Sequence, residues 1–168
     1  MSRVVYTDGA CRGNPGPGGW AWALDEERFA SGHDAATTNQ RMEVLAAFQA
    51  VRSLDGAIEI RSDSTYVVNC FNKQWYRGWH ARNWRNSQRQ PVANRDLWEP
   101  FIELVLDRGD VRFTWVKGHG TDTMNQLVDR LAVEASHAGE GRTGGGVTSP
   151  AAPVRPVVAP SATQSSLF

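Results

Sequence analysis

The sequence contains one arrangement twice: a short apolar strand that leads directly into an aspartate. Residues 3–6 are mostly β-branched or aromatic and precede Asp8, and the alternating residues 57–61 precede Asp63. A helical pattern separates the two strands, so the connection is long enough to be a right-handed crossover between parallel neighbours. We therefore expect Asp8 and Asp63 to lie side by side on adjacent strands.

The remaining pattern predicts an α/β fold with a mixed five-stranded sheet flanked by helices. A turn rich in glycine and proline follows Asp8, and a short polar link joins the next two strands, so strands 1 to 3 are expected to be antiparallel. Strands 4 and 5 are expected to run parallel to strand 1. After strand 1, the predicted strands cover about residues 20–24, 28–33, 57–61 and 111–116, and the predicted helices about 38–54, 65–71, 96–106 and 123–137. Asp96 is the expected N-cap of the third helix.

Composition predicts one globular domain, residues 1–138, followed by a tail. The 168 residues are 40% apolar and include seven Trp, whereas 18 basic and 18 acidic residues leave the net charge uninformative. Two cysteines make no disulfide framework, and neither a signal-peptide pattern nor a membrane-spanning run is visible, which favours a cytoplasmic protein. Residues 139–163 are rich in Gly, Pro and Ala and are expected to be a disordered linker.

Four carboxylates fall at positions that could converge: Asp8, Glu43, Asp63 and Asp129. A set of oxygen ligands without a Cys/His cluster suits Mg²⁺, with Mn²⁺ as a substitute, and two such ions would support phosphodiester hydrolysis. His119, with glycine on both sides, could move protons. Taken singly, each acid could be a solvated surface residue and His119 an ordinary loop histidine. The repeated strand-end position of Asp8 and Asp63 favours the metal site.

A basic segment, residues 72–95, contains six Lys or Arg and no acidic residue, with aromatic residues interleaved. Such a composition favours contact with nucleic-acid phosphates, and Arg82 and Arg85 are expected to contribute. The rings of Trp75, Trp79 and Trp84 could stack on sugars and bases or anchor the segment. The alternative is a solvated loop whose tryptophans pack on the domain.

Several motifs together resemble one family. They are TDGACRGNPGPGGW, TTNQRMEVLAA, RSDSTYV, WYRGW…RNW, PVANRDLW, WVKGHG and NQLVDRLA, in this order. The chain resembles type I ribonuclease H, the bacterial form with a basic protrusion, over about residues 3–138. The resemblance implies endonucleolytic cleavage of the RNA strand of RNA–DNA hybrids, which leaves 5′-phosphate and 3′-hydroxyl ends.

The resemblance also implies roles for individual residues. The four carboxylates look like metal ligands and His119 like the family's loop histidine. Cys11, Asn14, Asn39 and Gln40 resemble residues that read sugars, 2′-hydroxyls and base edges, and Thr38 and Asn94 resemble a phosphate pocket for the DNA strand. The chain departs from the family pattern at Gln40, where Asn is common, at Thr65, where Gln is common, and in a protrusion richer in Arg than in Lys.

The last five residues, 164–168, resemble the peptide by which bacterial replication and repair proteins bind the sliding clamp. Gln164, Leu167 and Phe168 match the motif, whereas Ser165 departs from the usual Leu. A short apolar anchor at the end of a flexible tether suits such a partner. The alternative is a chance similarity of five residues.

Two other functions remain open at this point. The chain could be a non-catalytic module that binds hybrids, or a nuclease of the same fold with another nucleic-acid substrate, such as a junction resolvase or a retroviral-type domain. The intact carboxylate set argues against the first, and the basic segment with PVANRDLW argues against the second. We expect a monomer in either case.

Overall fold

The computed structural model describes residues 2–147, which form one mixed sheet with helices on both faces. The strands are β1 (Arg3–Cys11), β2 (Gly16–Ala23), β3 (Phe29–Thr37), β4 (Ile58–Ser62), β5 (Val111–Trp115) and β6 (Thr143–Gly144). The helices are α1 (Asn39–Ser53), α2 (Thr65–Asn72), α3 (Trp75–Ala81), α4 (Arg95–Arg108) and α5 (Thr123–Ala138). Within this part of the chain, no helix is both long and apolar enough to cross a membrane.

The sheet has the strand order β5-β4-β1-β2-β3-β6. β1 pairs antiparallel with β2, and β2 pairs antiparallel with β3. β4 is parallel both to β1 and to β5. The predicted α/β fold and the predicted strand directions are therefore confirmed, although β3 continues four residues beyond the expected His33.

The sixth strand corrects the predicted start of the disordered linker. Thr143–Gly144 pairs antiparallel with Phe29 and Ala30, and Ser31 donates its backbone N–H to the carbonyl of Arg142 at 2.8 Å. The composition correctly indicated that this segment has little apolar surface to bury. It is ordered because the edge of β3 offers unpaired backbone donors and acceptors, with which residues 143–144 form hydrogen bonds. The rest of the predicted linker from residue 148, and residues 164–168, lie outside the described residues.

Each face of the sheet has its own apolar cluster. On one face, Trp22 of β2 packs with Met42 of α1 and with Trp98 and Phe101 of α4. On the other face, Tyr6 and Ala21 pack against Val128 and Leu131 of α5, among others. The sequence periodicity of α1 and α5 predicts these buried stripes, because residues three and four apart share one side of a helix.

Glycine allows α1 to approach β1 closely. A Cβ at Gly9 would overlap the backbone of Met42 and Glu43, so only a residue without a side chain fits there. Gly9 follows Asp8 directly. The close approach therefore brings the start of α1, with Glu43, next to the aspartate of β1.

The N-terminus of α4 differs from the prediction. Asn94 precedes the helix with φ 60° and makes no side-chain cap, and Asp96 does not cap the helix either. Instead, both carboxylate oxygens of Asp96 accept hydrogen bonds from the guanidinium of Arg41 on α1. A bidentate charge-assisted pair outweighs a single cap bond, and only the tertiary fold brings Arg41 to this position.

Candidate active site

Three carboxylates meet at the ends of β1 and β4. Thr7 pairs with Ser62 in the parallel register, so Asp8 and Asp63 follow on adjacent strands. Oxygen atoms of Asp8, Glu43 and Asp63 all lie within 4.8 Å of one another, a spacing that could hold a metal ion. The predicted adjacency of Asp8 and Asp63 is confirmed, and the close approach at Gly9 adds Glu43 to the pair.

Burial and mutual repulsion raise the pKa values of these acids. Burial, followed by the charge of Asp63, raises the pKa of Asp8 to about 8, although the N–H of Gly9 donates to its Oδ1 at 2.9 Å. Burial is also the main cause that raises the pKa of Glu43, to about 7, with a contribution from Asp63. The pKa of Asp63 is raised mainly by burial as well. Without a cation, the three groups cannot all be ionised near neutral pH, and a hard divalent ion would remove that penalty.

Asp129 lies beside this cluster, on α5. Its negative charge raises the pKa of both Asp8 and Asp63, which requires it to be near both carboxylates. It is not among the three acids whose oxygens come within 4.8 Å of one another. The structure therefore brings three of the four predicted metal ligands together and places the fourth next to them.

The loop after β5 passes directly over Asp63. A Cβ at Gly118 would lie 2.8 Å from Oδ2 of Asp63, so the glycine permits this close passage. His119 follows, exposed and with φ 55°, and its charge lowers the pKa of Asp63. Trp115 donates its indole N–H to the backbone carbonyl of Asp63 at 3.1 Å, which fixes the start of the loop. The predicted loop histidine thus lies near the acidic cluster.

Two side chains that support the carboxylates were missed in the sequence. Ser64 caps α2 through a bond from the N–H of Val67 and also hydrogen-bonds the carboxylate of Glu43. Asn125 of α5 is buried and hydrogen-bonds the carboxylate of Asp63. The spacing of four between Asn125 and Asp129 was the available signal, because it puts both on one side of the helix.

The predicted groove residues surround the start of α1. The backbone N–H of Asn39 donates to the side-chain oxygen of Asn14 at 3.1 Å, and the amide of Asn39 donates to Glu43 at 3.2 Å. The thiol of Cys11 contacts the carbonyls of Gly16 and Thr37. Gln40 is exposed in the first turn of the helix. The glycine-rich turn and the helix start therefore form one polar surface beside the carboxylates.

Thr38 and Asn94, predicted as parts of a phosphate pocket, are joined through Arg41. The hydroxyl oxygen of Thr38 accepts from the backbone N–H of Arg41 at 3.2 Å and caps α1. The guanidinium of Arg41 donates to the side-chain oxygen of Asn94 at 3.4 Å. The side chain of Asn94 also hydrogen-bonds the phenol of Tyr66. The hydroxyl hydrogen of Thr38 and the second amide hydrogen of Asn94 remain the groups that could donate to a phosphate.

The basic segment is anchored by two of its three tryptophans. Trp79 and Trp84 are 8% and 6% exposed, and the ring of Trp79 lies 5.9 Å from that of Trp84 and 5.5 Å from that of Trp98. This burial supports the anchoring role considered for them, and their contact with a substrate stays a prediction. Trp75, 36% exposed, is still available for a substrate.

The two arginines singled out in this segment also bind its backbone. Arg82 donates through Nε to the carbonyl of Arg85 at 3.1 Å, and Arg85 donates to the carbonyl of Arg89 at 2.8 Å. A guanidinium has five N–H donors, so each retains donors for a phosphate. Their predicted contact with nucleic acid stays a prediction.

The fold and the site together define a class of enzyme. The mixed sheet presents clustered carboxylates beside the polar surface at the start of α1 and the basic segment. This is the arrangement of a nuclease, a hydrolase of phosphodiester bonds. The profile of the RNase H family matches residues 1–137. The chain belongs to the RNase H family.

Similar proteins agree with this assignment. The chain is 44% identical to a ribonuclease H of Syntrophomonas wolfei over 138 residues, which are 79% of this chain and 94% of the relative. It is also 44% identical to a ribonuclease HI of Caulobacter vibrioides, over 78% of this chain and 90% of the relative. Among solved structures, LC9-RNase H1, a type 1 RNase H with the type 2 active-site motif, shares the fold with a TM-score of 0.68 at 23% identity, over 95% of this chain and 97% of that one.

Proposed function

We propose that the enzyme cleaves the RNA strand of RNA–DNA hybrids and leaves 5′-phosphate and 3′-hydroxyl ends. The observation that carries the proposal is the convergence of Asp8, Glu43 and Asp63 beside the polar surface of Asn14 and Asn39. The relatives are named as ribonucleases H, and LC11-RNase H1, similar in fold with a TM-score of 0.62 at 22% identity, was solved in complex with an RNA/DNA hybrid.

The carboxylates fit a divalent metal centre. Their donors are oxygen atoms alone, and their pKa values are raised first by burial and then by mutual repulsion, both of which bound cations would offset. We propose that Asp8, Glu43, Asp63 and Asp129 hold two Mg²⁺, for which Mn²⁺ can substitute. Bound there, the ions would activate a water molecule and stabilise the leaving oxygen of the phosphodiester.

The surrounding side chains supply recognition and proton transfer. Asn39, hydrogen-bonded to Glu43, and its partner Asn14 can contact the sugar edge of a strand that lies over the carboxylates, and Cys11 and Gln40 border the same surface. The 2′-hydroxyl distinguishes RNA from DNA, so polar groups at this position can select the RNA strand. His119, on the loop that passes over Asp63, would accept or donate a proton at the scissile phosphate, and its charge effect on Asp63 supports this role.

A cleavage assay tests the proposal. A hybrid with labelled RNA should be cut in Mg²⁺ or Mn²⁺ and left intact in EDTA, whereas duplex DNA should be spared. The Asp8→Asn variant should not cut the hybrid, because it lacks a metal ligand, but it should still bind the hybrid, because its basic segment is unchanged. Full activity of Asp8→Asn would contradict the metal assignment, and binding by the wild-type protein without any cutting would identify a non-catalytic hybrid-binding module.

We also propose that residues 164–168 bind a bacterial sliding clamp. The support is the match of Gln164, Leu167 and Phe168 to the clamp-binding peptide, together with the Gly/Pro-rich composition that precedes it. Deletion of residues 164–168 should remove binding to a purified clamp and leave the cleavage of free hybrids unchanged. A full-length protein that shows no clamp binding in the same assay would contradict the proposal.

A further inference from the structure

A chain of hydrogen bonds runs through four side chains close to the carboxylates, and we call it the β1–α5 network. Arg61 of β4 donates to Glu59 at 2.8 Å and to the phenol oxygen of Tyr6 at 3.1 Å. The phenol of Tyr6 in turn donates to Asp122 at 2.7 Å. The network therefore connects β4, β1 and the residue that precedes α5.

Two members of the network lie two residues before a carboxylate of the site, on the same strands. Tyr6 and Arg61 are paired across the parallel strands, Tyr6 is two residues before Asp8, and Arg61 is two residues before Asp63. Alternate residues of a strand share a face, so the side chain of Tyr6 lies on the same side of β1 as that of Asp8. Tyr6 belongs to the apolar cluster that packs against α5, which identifies this side as the α5 face.

Asp122 connects the network to the start of α5 with its two carboxylate oxygens. One oxygen caps the helix by accepting the backbone N–H groups of Met124 at 3.0 Å and Asn125 at 3.3 Å. The other accepts the phenol of Tyr6. The cap residue thus ties the first turn of α5 directly to β1.

The first two turns of α5 supply two groups of the site. Asn125 hydrogen-bonds the carboxylate of Asp63, and Asp129, four residues further on, carries the charge that Asp8 and Asp63 both experience. A small displacement of this helix end would move both groups relative to the strand carboxylates. Such misplacement weakens metal binding and catalysis strongly, even when every ligand is retained.

We propose that Tyr6 and Asp122 are positioning residues that hold the N-terminal turns of α5 in place. Through these turns they keep Asn125 and Asp129 correctly placed relative to Asp8 and Asp63. The inference rests on the proposed function of the carboxylates as the metal centre. Arg61 orients the phenol from the opposite side, with its guanidinium 5.7 Å from the centre of the Tyr6 ring. Glu59 in turn holds Arg61.

A purely stabilising role would give a different result in mutants. The Glu59–Arg61 pair is partly exposed, with side chains 20% and 35% accessible, and such pairs contribute little to stability. A positioning role instead predicts lost metal affinity and turnover at nearly unchanged stability. The two roles can therefore be separated by measuring both properties in the same variants.

The test uses Tyr6→Phe, which removes only the phenol oxygen, and Asp122→Ser, which retains a good N-cap but is too short to reach Tyr6. We expect each variant to lower kcat roughly tenfold at unchanged KM, and to weaken Mn²⁺ binding, measured by calorimetry, by a similar factor. The double variant should lose little more than either single variant, because both remove one shared contact. The matched control is Ser136→Ala at the other end of α5, which removes the hydroxyl bond to the carbonyl of Val133.

The outcomes separate this inference from the proposed function. A wild-type protein that binds Mn²⁺ but cuts no hybrid would contradict the proposed function, and the Mn²⁺ affinities of the variants would still decide the positioning role. Mn²⁺ affinities of Tyr6→Phe and Asp122→Ser within twofold of wild type would overturn the inference. So would losses that follow the urea unfolding midpoint and occur equally in Ser136→Ala.

Discussion

At the scale of single residues, the acidic cluster is a source of instability that a ligand would relieve. Asp8 is 6% exposed, and burial together with Asp63 raises its pKa from 3.8 to about 8. Between these two values the folded protein keeps a proton that the unfolded chain has already released. The free energy of unfolding of the metal-free protein should therefore fall as the pH rises from about 4 to 8.

Replacement of this aspartate should stabilise the protein while it inactivates the enzyme. Asp8→Asn removes the ionisable group from a site where its charged form is unfavourable, so in EDTA at pH 8 we expect a gain of roughly 1–3 kcal/mol in the free energy of unfolding. At pH 4 the gain should nearly vanish, because the native carboxyl is protonated there. Urea unfolding at both pH values measures the difference, and an equal or lower stability of the variant at pH 8 would contradict the pKa assignment.

At the scale of elements, the basic segment depends on the core for its position. Trp79 of α3 packs on Trp84 and on Trp98 of α4, and Arg95 lies 5.2 Å above the ring of Trp84. The segment is therefore attached to the domain mainly through contacts of its aromatic rings.

Alanine substitution in the segment should separate the anchoring tryptophan from the exposed one. Trp79→Ala removes a ring buried in the core and should cost about 3–5 kcal/mol of stability. Trp75→Ala, at the more exposed position, should cost less than about 1 kcal/mol and act mainly on the affinity for hybrids. Urea unfolding and hybrid-binding titrations on both variants test this, and a Trp79→Ala protein of wild-type stability would contradict the anchoring role.

At the scale of the whole molecule, acidic and basic side chains are segregated although the net charge is zero. Acidic residues cluster at the strand ends, whereas the basic segment, residues 72–95, contains no acidic residue. A phosphate backbone bound by the basic segment would lie near the carboxylates, where cations are needed to offset the repulsion between phosphates and carboxylates. This charge distribution supports the proposal that the basic segment binds the nucleic acid and the carboxylates act on it.

The basic segment should account for part of the salt dependence of hybrid binding. Arg82→Gln and Arg85→Gln should each weaken binding and reduce the slope of log K against log salt by about one. Arg28→Gln is the matched control, because Arg28 lies in the link between β2 and β3 and pairs with Asp25 there. Filter-binding or anisotropy titrations at several salt concentrations give the slopes. A slope unchanged from wild type would mean that the two side chains face away from the nucleic acid.

Local patterns in the sequence were sufficient for the sheet and for the central pair of carboxylates. Strand and helix periodicity, with a crossover between the two strands, implied that β1 and β4 are parallel and that Asp8 and Asp63 are neighbours. Each strand, the helix between them and the length of the crossover are evident from contiguous residues, and the handedness rule for such crossovers then implies that the two strands are parallel. The family resemblance rested on the same contiguous motifs.

The tertiary structure alone decided which distant side chains meet. Asp96 pairs with Arg41 instead of capping α4, Trp79 and Trp84 are covered by the core, and β6 completes the edge of β3. Partners such as Asn125 with Asp63, or Tyr6 with Asp122, are separated by 62 and 116 positions in the chain. Periodicity indicates which face of an element is buried, but not which residue of another element it will meet, because that depends on how the helices and strands pack in three dimensions.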